Sequence, residues 1–249
     1  MKTLQKTIQH GLVVAALSLA PAHAAVTIYE TGSINAELGS GSYTLDNLTL
    51  NTTTDTAVFL LYSADAVSIT SATFAGEAMT VIDDGGNARA TIAYLANPSN
   101  LSGDLIVNGI GNNAPLELAY WGVAEGIDTS AISTTTGSTG GGGSQTITAF
   151  PSLDSGDVVY SVFADNNNTG TGYSGGLISH DGGGADHDAI ITTDTVLTAG
   201  SFTPTTSWTT DGSPVLVGAS IAFTAVPEPS GIALLGLGGG LALLRRKRS

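Results

Sequence analysis

The chain contains no cysteine. Disulfides, thiolate metal sites and cysteine nucleophiles are thereby excluded, and stability must come from packing or from metal held by oxygen and nitrogen. Positive charge is nearly as scarce. Of seven Lys and Arg residues, Lys2 and Lys6 stand at the start, Arg245, Arg246, Lys247 and Arg248 at the end, and only Arg89 between. Every Asp and Glu except Glu228 falls in that interior stretch. A body so acidic repels nucleic acid and anionic lipid, so no nucleic-acid partner is expected. It suits an extracellular protein, with solvation as the plain role of the charge and attraction of divalent cations as the sharper one. Charged residues make up only 11% of the chain, against about 25% in an average domain. The polar surface must therefore be built from Thr, Ser, Asn and Gly. No apolar run approaches the roughly 20 residues of a comfortable membrane helix. Helical periodicity is missing throughout.

What is present in quantity is the material of strands and turns. Thr, Val and Ile suit a pleated sheet, and 33 glycines supply tight turns. The 249 residues suffice for one large domain or two small ones. Between residues 25 and 225 about a dozen candidate strands are bounded by Gly, Asn, Asp or Pro. AVFLLYSA (57–64) is apolar without interruption, which predicts a central strand covered on both faces. GEAMTVID runs to a turn at Asp83-Asp84-Gly85-Gly86-Asn87, and ARATIAYLANP (88–98) is its hairpin partner. In the last strand Val217, Ala219, Ile221 and Phe223 share one face at period two. Residues 133–145, STTTGSTGGGGSQ, have the composition of a flexible linker. We read them as a long loop within one domain, the alternative being a joint between two small β-domains. The fold class is all-β: a single antiparallel, jelly-roll-like β-sandwich over 25–225. TFAGEAMT, IAYLANPSNLSGDLIVNGIG, LDSGDVVYSVFAD and VLVGASIAF together resemble a β-sandwich module of bacterial secreted proteins. That resemblance implies a fold and no catalytic residues.

The two ends have a different character. Residues 1–24 combine Lys2 and Lys6, an apolar run over 11–20, and Ala22-His23-Ala24 as a small-x-small site. This is the layout of a secretory signal peptide, cut between Ala24 and Ala25. Residues 226–249 read VPEPSGIALLGLGGGLALLRRKRS. Val226-Pro227-Glu228-Pro229 is followed by a short apolar span at 231–244 without a polar face, then by Arg245, Arg246, Lys247 and Arg248. Basic residues after an apolar span retain that end in the cytoplasm, and their long side chains extend the span by snorkelling. The prolines flanking Glu228 hold the backbone extended and remove two amide donors, so the motif joins neither strand nor helix. In order and spacing this tail resembles the PEP-CTERM sorting signal of Gram-negative bacteria. Gram-positive sortase signals share the layout but need Thr-Gly after the proline, which this chain lacks. The resemblance implies export by the general secretion machinery, cleavage by signal peptidase, transient anchoring in the inner membrane by a short transmembrane helix, and removal of the tail by exosortase. The protein then resides at the cell surface or outside the cell.

Catalytic chemistry is hard to find. No Gly-x-Ser-x-Gly elbow, His-Glu-x-x-His motif or phosphate loop occurs. His10 and His23 leave with the signal peptide, so His180 and His187 alone remain for general-base work. They fall in HDGGGADHD, where His180, Asp181, Asp186, His187 and Asp188 form the best candidate metal cluster. Ca²⁺ would use the carboxylates and backbone carbonyls, and a transition metal would recruit the imidazoles. A Gly-rich loop whose polar groups only satisfy local backbone is the bland account of the same residues. The stretches at 83–87 and 165–172 are similar oxygen-rich loops. Trp121, Tyr173 and Trp208 are candidates to stack on a sugar, with burial as the competing account of Trp121. The leading expectation is a non-catalytic surface or extracellular-matrix protein in contact with exopolysaccharide, requiring no cofactor. The alternatives are a lectin-like module using Ca²⁺ loops and a polysaccharide-degrading enzyme.

Overall fold

The computed structural model describes residues 25–38, 41–65, 69–83, 88–110, 116–141, 144–165, 172–180, 188–209 and 216–226. The expected signal peptide at 1–24, the motif from Pro227 onward, the 231–244 span and its basic end lie outside the described residues. Residues 25–226 cluster as one compact unit. Among the described residues there is no helix, and the strands pair antiparallel. The first half of the body supplies β1 (Thr27–Leu38), β2 (Gly41–Thr49), β3 (Thr56–Asp65), β4 (Ser71–Phe74), β5 (Glu77–Ala78), β6 (Thr80–Asp83), β7 (Ala88–Ala96), β8 (Ser102–Ile110) and β9 (Leu116–Glu125). The second half supplies β10 (Ser133–Thr136), β11 (Ser138–Gly141), β12 (Ser144–Ile147), β13 (Phe150–Leu153), β14 (Val158–Asp165), β15 (Gly172–Ser174), β16 (Ile178–His180), β17 (Ala189–Thr195), β18 (Gly200–Phe202), β19 (Thr205–Thr209) and β20 (Leu216–Phe223).

Two five-stranded sheets face each other at the centre, ordered β1–β9–β3–β7–β6 and β10–β20–β14–β17–β16. Alternation along each strand divides its side chains between two cores. Ala57, Phe59 and Leu61 of β3 meet Tyr160 and Val162 of β14 and Val217, Ala219, Ile221 and Phe223 of β20. Phe59 lies 4.9 Å from Tyr160 and 5.2 Å from Phe223 between ring centroids, so aromatic packing joins the two inner sheets. Val58, Leu60 and Tyr62 point the other way, onto Leu48, Phe74, Leu105 and Val107 of the outer sheet β2–β8–β4–β5. The second inner sheet is covered likewise. Val159 and Ala222 pack on Phe150, Leu153 and Val196 by the ribbon β13–β18, and Phe163 and Ile190 pack on Ile147 by the sheet β11–β12–β19–β15. This double coverage makes β3, β14 and β20 apolar almost throughout, and of the serines they do contain, Ser220 donates its hydroxyl to Ser161 Oγ at 2.7 Å within the sheet.

The layering departs from the expected single jelly-roll sandwich. The sheets stack four deep, with the expected sandwich as the inner pair. Each half of the chain builds its own inner and outer sheet, whereas a jelly roll exchanges strands between its facing sheets. Residues 133–145 also differ from expectation. Instead of a long loop they form β10, β11 and the start of β12, with β10 on β20 and β12 on β19. Thr134, Thr135 and Thr136 are β-branched and suit a strand. Gln145, wholly buried, anchors the region through Nε2 to the Val217 carbonyl at 2.8 Å and to Ser138 Oγ at 3.0 Å. Composition showed the small residues there; the unsatisfied edges of β20 and β19 decide that they pair.

Candidate functional site

The antiparallel registers place many strand ends together. Asp65 ends β3, Asp83 ends β6 and Ala88 begins β7, all at one end of the first inner sheet. Asp165 ends β14, His180 ends β16 and Ala189 begins β17 at one end of the second. Asn35 Nδ2 donates to the Ser179 carbonyl at 2.7 Å and ties the two sheets near these ends. The strand ends that flank residues 84–87, 166–171 and 181–187 therefore share one end of the body. Those three segments hold most of the oxygen-rich residues singled out from sequence, and they lie outside the described residues.

At this end Asp165 and Asp188 are both buried, with 0% and 4% of their surface exposed. The Asp165 amide donates to the Asp188 carbonyl at 3.0 Å, so the backbones of the two residues pair where Asp165 ends β14 and Asp188 precedes β17. The Tyr173 hydroxyl donates to Gln145 Oε1 at 2.6 Å. Burial pushes the Tyr173 hydroxyl above its usual range, and the carboxylates of Asp165 and Asp188 push it further. Tyr173 thus stays protonated and serves as a donor. Of the five proposed metal ligands, Asp188 is buried at the start of this ladder, the His180 backbone closes β16, and Asp181, Asp186 and His187 lie outside the described residues. Among the described residues no group of three or more His, Cys, Asp or Glu is arranged to hold a metal ion.

The three aromatic candidates do not form one sugar platform. Trp121 is 3% exposed in the core between the first inner and outer sheets, where its Nε1 donates to Asp46 Oδ2 at 3.1 Å. Tyr173 belongs to the core on the opposite side of the second inner sheet. Trp208 is the backbone partner of Tyr173 across β19 and β15. Trp121 is a packing anchor, and burial removes it from any exposed binding surface.

The opposite end of the body carries the junction with the C-terminal tail. Beyond β20 the chain is gripped residue by residue. Asp128 N donates to the Thr224 carbonyl at 2.8 Å, Ala225 forms an antiparallel bridge with Ile127, and Val226 N donates to the Gly126 carbonyl at 3.0 Å. Thr224 Oγ1 donates to Asp157 Oδ2 at 3.1 Å. Asp157 is 1% exposed, and the same Oδ2 accepts the Asp154 amide at 2.8 Å. Burial raises the Asp157 carboxyl above the ordinary aspartate value, against the lowering effect of these hydrogen bonds. Gly126 turns with φ of 71°, and a methyl group on it would sit 3.2 Å from the Ala25 carbonyl oxygen. Ala25, the expected first residue after signal-peptide cleavage, and Val226, the first residue of the tail motif, therefore meet at one glycine. Sequence reading named both residues and had no signal that they are neighbours, nor that Asp157 and Gly126 serve them.

No curated protein and no solved structure matches the chain. Residues 225–248 do match a family model, beginning at the residue that makes the body's last β-bridge. The chain carries a PEP-CTERM protein-sorting motif, the mark of an exported protein processed by exosortase.

Proposed function

We propose that the body is a non-catalytic surface or extracellular-matrix domain, delivered by the sorting tail and retained in contact with exopolysaccharide. The observation that supports this reading is the PEP-CTERM match starting directly on the last bridged residue of the fold. Delivery by such a tail belongs to proteins placed outside the inner membrane, where an acidic, cysteine-free domain is well solvated. Mass spectrometry of the mature protein outside the cell tests the processing. Loss of Arg245, Arg246, Lys247 and Arg248 is expected, and an intact C-terminus overturns the reading. Co-sedimentation with the producing cell's own exopolysaccharide tests the contact, with a freely soluble protein as the adverse result. Release of reducing ends from that polysaccharide would replace the non-catalytic reading by a hydrolase.

A second reading, a lectin-like module using Ca²⁺, is favoured by the strand ends gathered around Asp83, Asp165 and Asp188. Calorimetric titration with Ca²⁺ distinguishes it. A heat of binding that disappears in Asp186→Ala supports the module, and absence of any heat removes it.

A further inference from the structure

Residues 224–226 lead directly into Pro227-Glu228-Pro229, and each is tied to a different part of the body. The Thr224 carbonyl accepts the Asp128 amide, and the Thr224 hydroxyl donates to the buried Asp157 carboxylate. Ala225 is 2% exposed in its bridge with Ile127, itself wholly buried. Val226 pairs with Gly126. The receiving groups are fixed in turn. Asp157 closes a turn through its amide to the Asp154 carbonyl at 3.2 Å, and its own carbonyl accepts the Val196 amide at 2.8 Å. Asp128 holds a second turn, its Oδ1 accepting the Ser130 amide at 3.0 Å and the Ser130 hydroxyl at 2.6 Å.

The chemistry of the chain ends this pairing at a defined point. Pro227 has no amide hydrogen, so the ladder cannot continue through it. Val226, as the residue before a proline, is confined to extended backbone, which its bond to Gly126 already requires. The ladder therefore ends at Val226, and in Pro227-Glu228-Pro229 the proline rings restrict the backbone by their own chemistry. A peptide fixed at one end and stiffened by proline loses little conformational freedom on binding.

We propose that residues 224–226 are a clasp that holds the start of the sorting motif for processing by exosortase, with Thr224 and Asp157 as its positioning residues. The proposal rests on the exosortase reading and adds that processing depends on the fold upstream of the motif. Thr224→Val keeps the shape of the side chain and removes the hydroxyl held by Asp157. Thr224→Ser keeps the hydroxyl. A Gly-Ser-Gly-Ser spacer inserted between Val226 and Pro227 leaves the body intact and supplies slack.

The test is pulse-chase processing of the full chain in cells that contain exosortase. Thr224→Val and the spacer are each expected to slow tail removal about five-fold, the effect of freeing about one residue. Thr224→Ser should process as the wild type does. Digestion of the mature protein by a carboxypeptidase gives a second readout. At a temperature where both proteins remain folded by circular dichroism, trimming should halt at Val226 in the wild type and pass into 224–226 in Thr224→Val. Wild-type rates for both Thr224→Val and the spacer overturn the clasp and leave exosortase processing standing. A wild-type chain that is never processed overturns the exosortase reading and the clasp with it.

Discussion

Replacing Gly32 by alanine should strike the core at Trp121. Gly32 sits opposite Trp121 in the β1–β9 ladder, beside a register shift between Tyr29 and Gly32. A methyl group there would stand 2.5 Å from Trp121 Cε2 and Cζ2 and 2.7 Å from Nε1. Those separations fall about 1 Å inside the optimum for non-bonded atoms, so either the indole or β1 must move. Overpacking of this kind costs about 1–3 kcal/mol. If the indole moves, its bond to the Asp46 carboxylate is lost as well, a further ~1.5–3 kcal/mol for a charged acceptor. Because β1 is an edge strand and can yield somewhat, we expect a total of about 2–4 kcal/mol. Urea denaturation of the mature protein followed by far-ultraviolet circular dichroism reads this directly. Trp121→Leu makes room for the methyl group, so the same alanine placed in that background should cost under ~0.5 kcal/mol. A Gly32→Ala protein within that margin of wild type refutes the packing argument. So does an equal cost in both backgrounds, which would assign the effect to the β1 backbone alone.

Gln145→Met keeps the length of a wholly buried side chain but removes its bonds to the Val217 carbonyl, Ser138 Oγ and the Tyr173 hydroxyl. With the carbonyl and the phenol left in the core, stability should fall by about 2–4 kcal/mol, and a neutral result in urea denaturation would mean the cluster is not structural. Asp194 presents the opposite case. Burial raises its carboxyl above the ordinary value of 3.8, so folding favours its protonated form. Its contribution is most favourable below that ordinary value and is lost as pH rises through the folded one. Asp194→Asn should therefore raise the melting temperature at neutral pH and bring no gain near pH 3. A uniform change across the range would contradict this linkage.

Gly126 gathers both the expected N-terminus and the sorting junction, while Asp65, Asp83, Asp165 and His180 end their strands at the far end of the same inner sheets. The sorting junction and these strand ends thus lie at opposite ends of the body.

Much of the interior was legible in the sequence. AVFLLYSA indicated a strand covered on both faces, and Val217, Ala219, Ile221 and Phe223 were placed together because alternation is a local property of a strand. Trp121 in an apolar strand pointed to burial, which the structure shows. Residues 133–145 misled because glycine and serine look alike in a linker and in a short strand. The difference lies in whether a distant strand offers an open edge. The pairing of Asp165 with Asp188 was hidden for a similar reason, since both looked like turn residues until the β14–β17 register brought them side by side.

The sequence by itself determined the route of this protein and the type of its secondary structure. The sorting motif is read as a linear string, and strand alternation needs only nearest neighbours along the chain. Only the tertiary structure decided that the sheets stack four deep, that Trp121 is closed off from sugar, and that both ends of the body converge on Gly126. These facts depend on contacts between residues far apart in the chain, whose pairing is set by register and packing rather than by any local pattern.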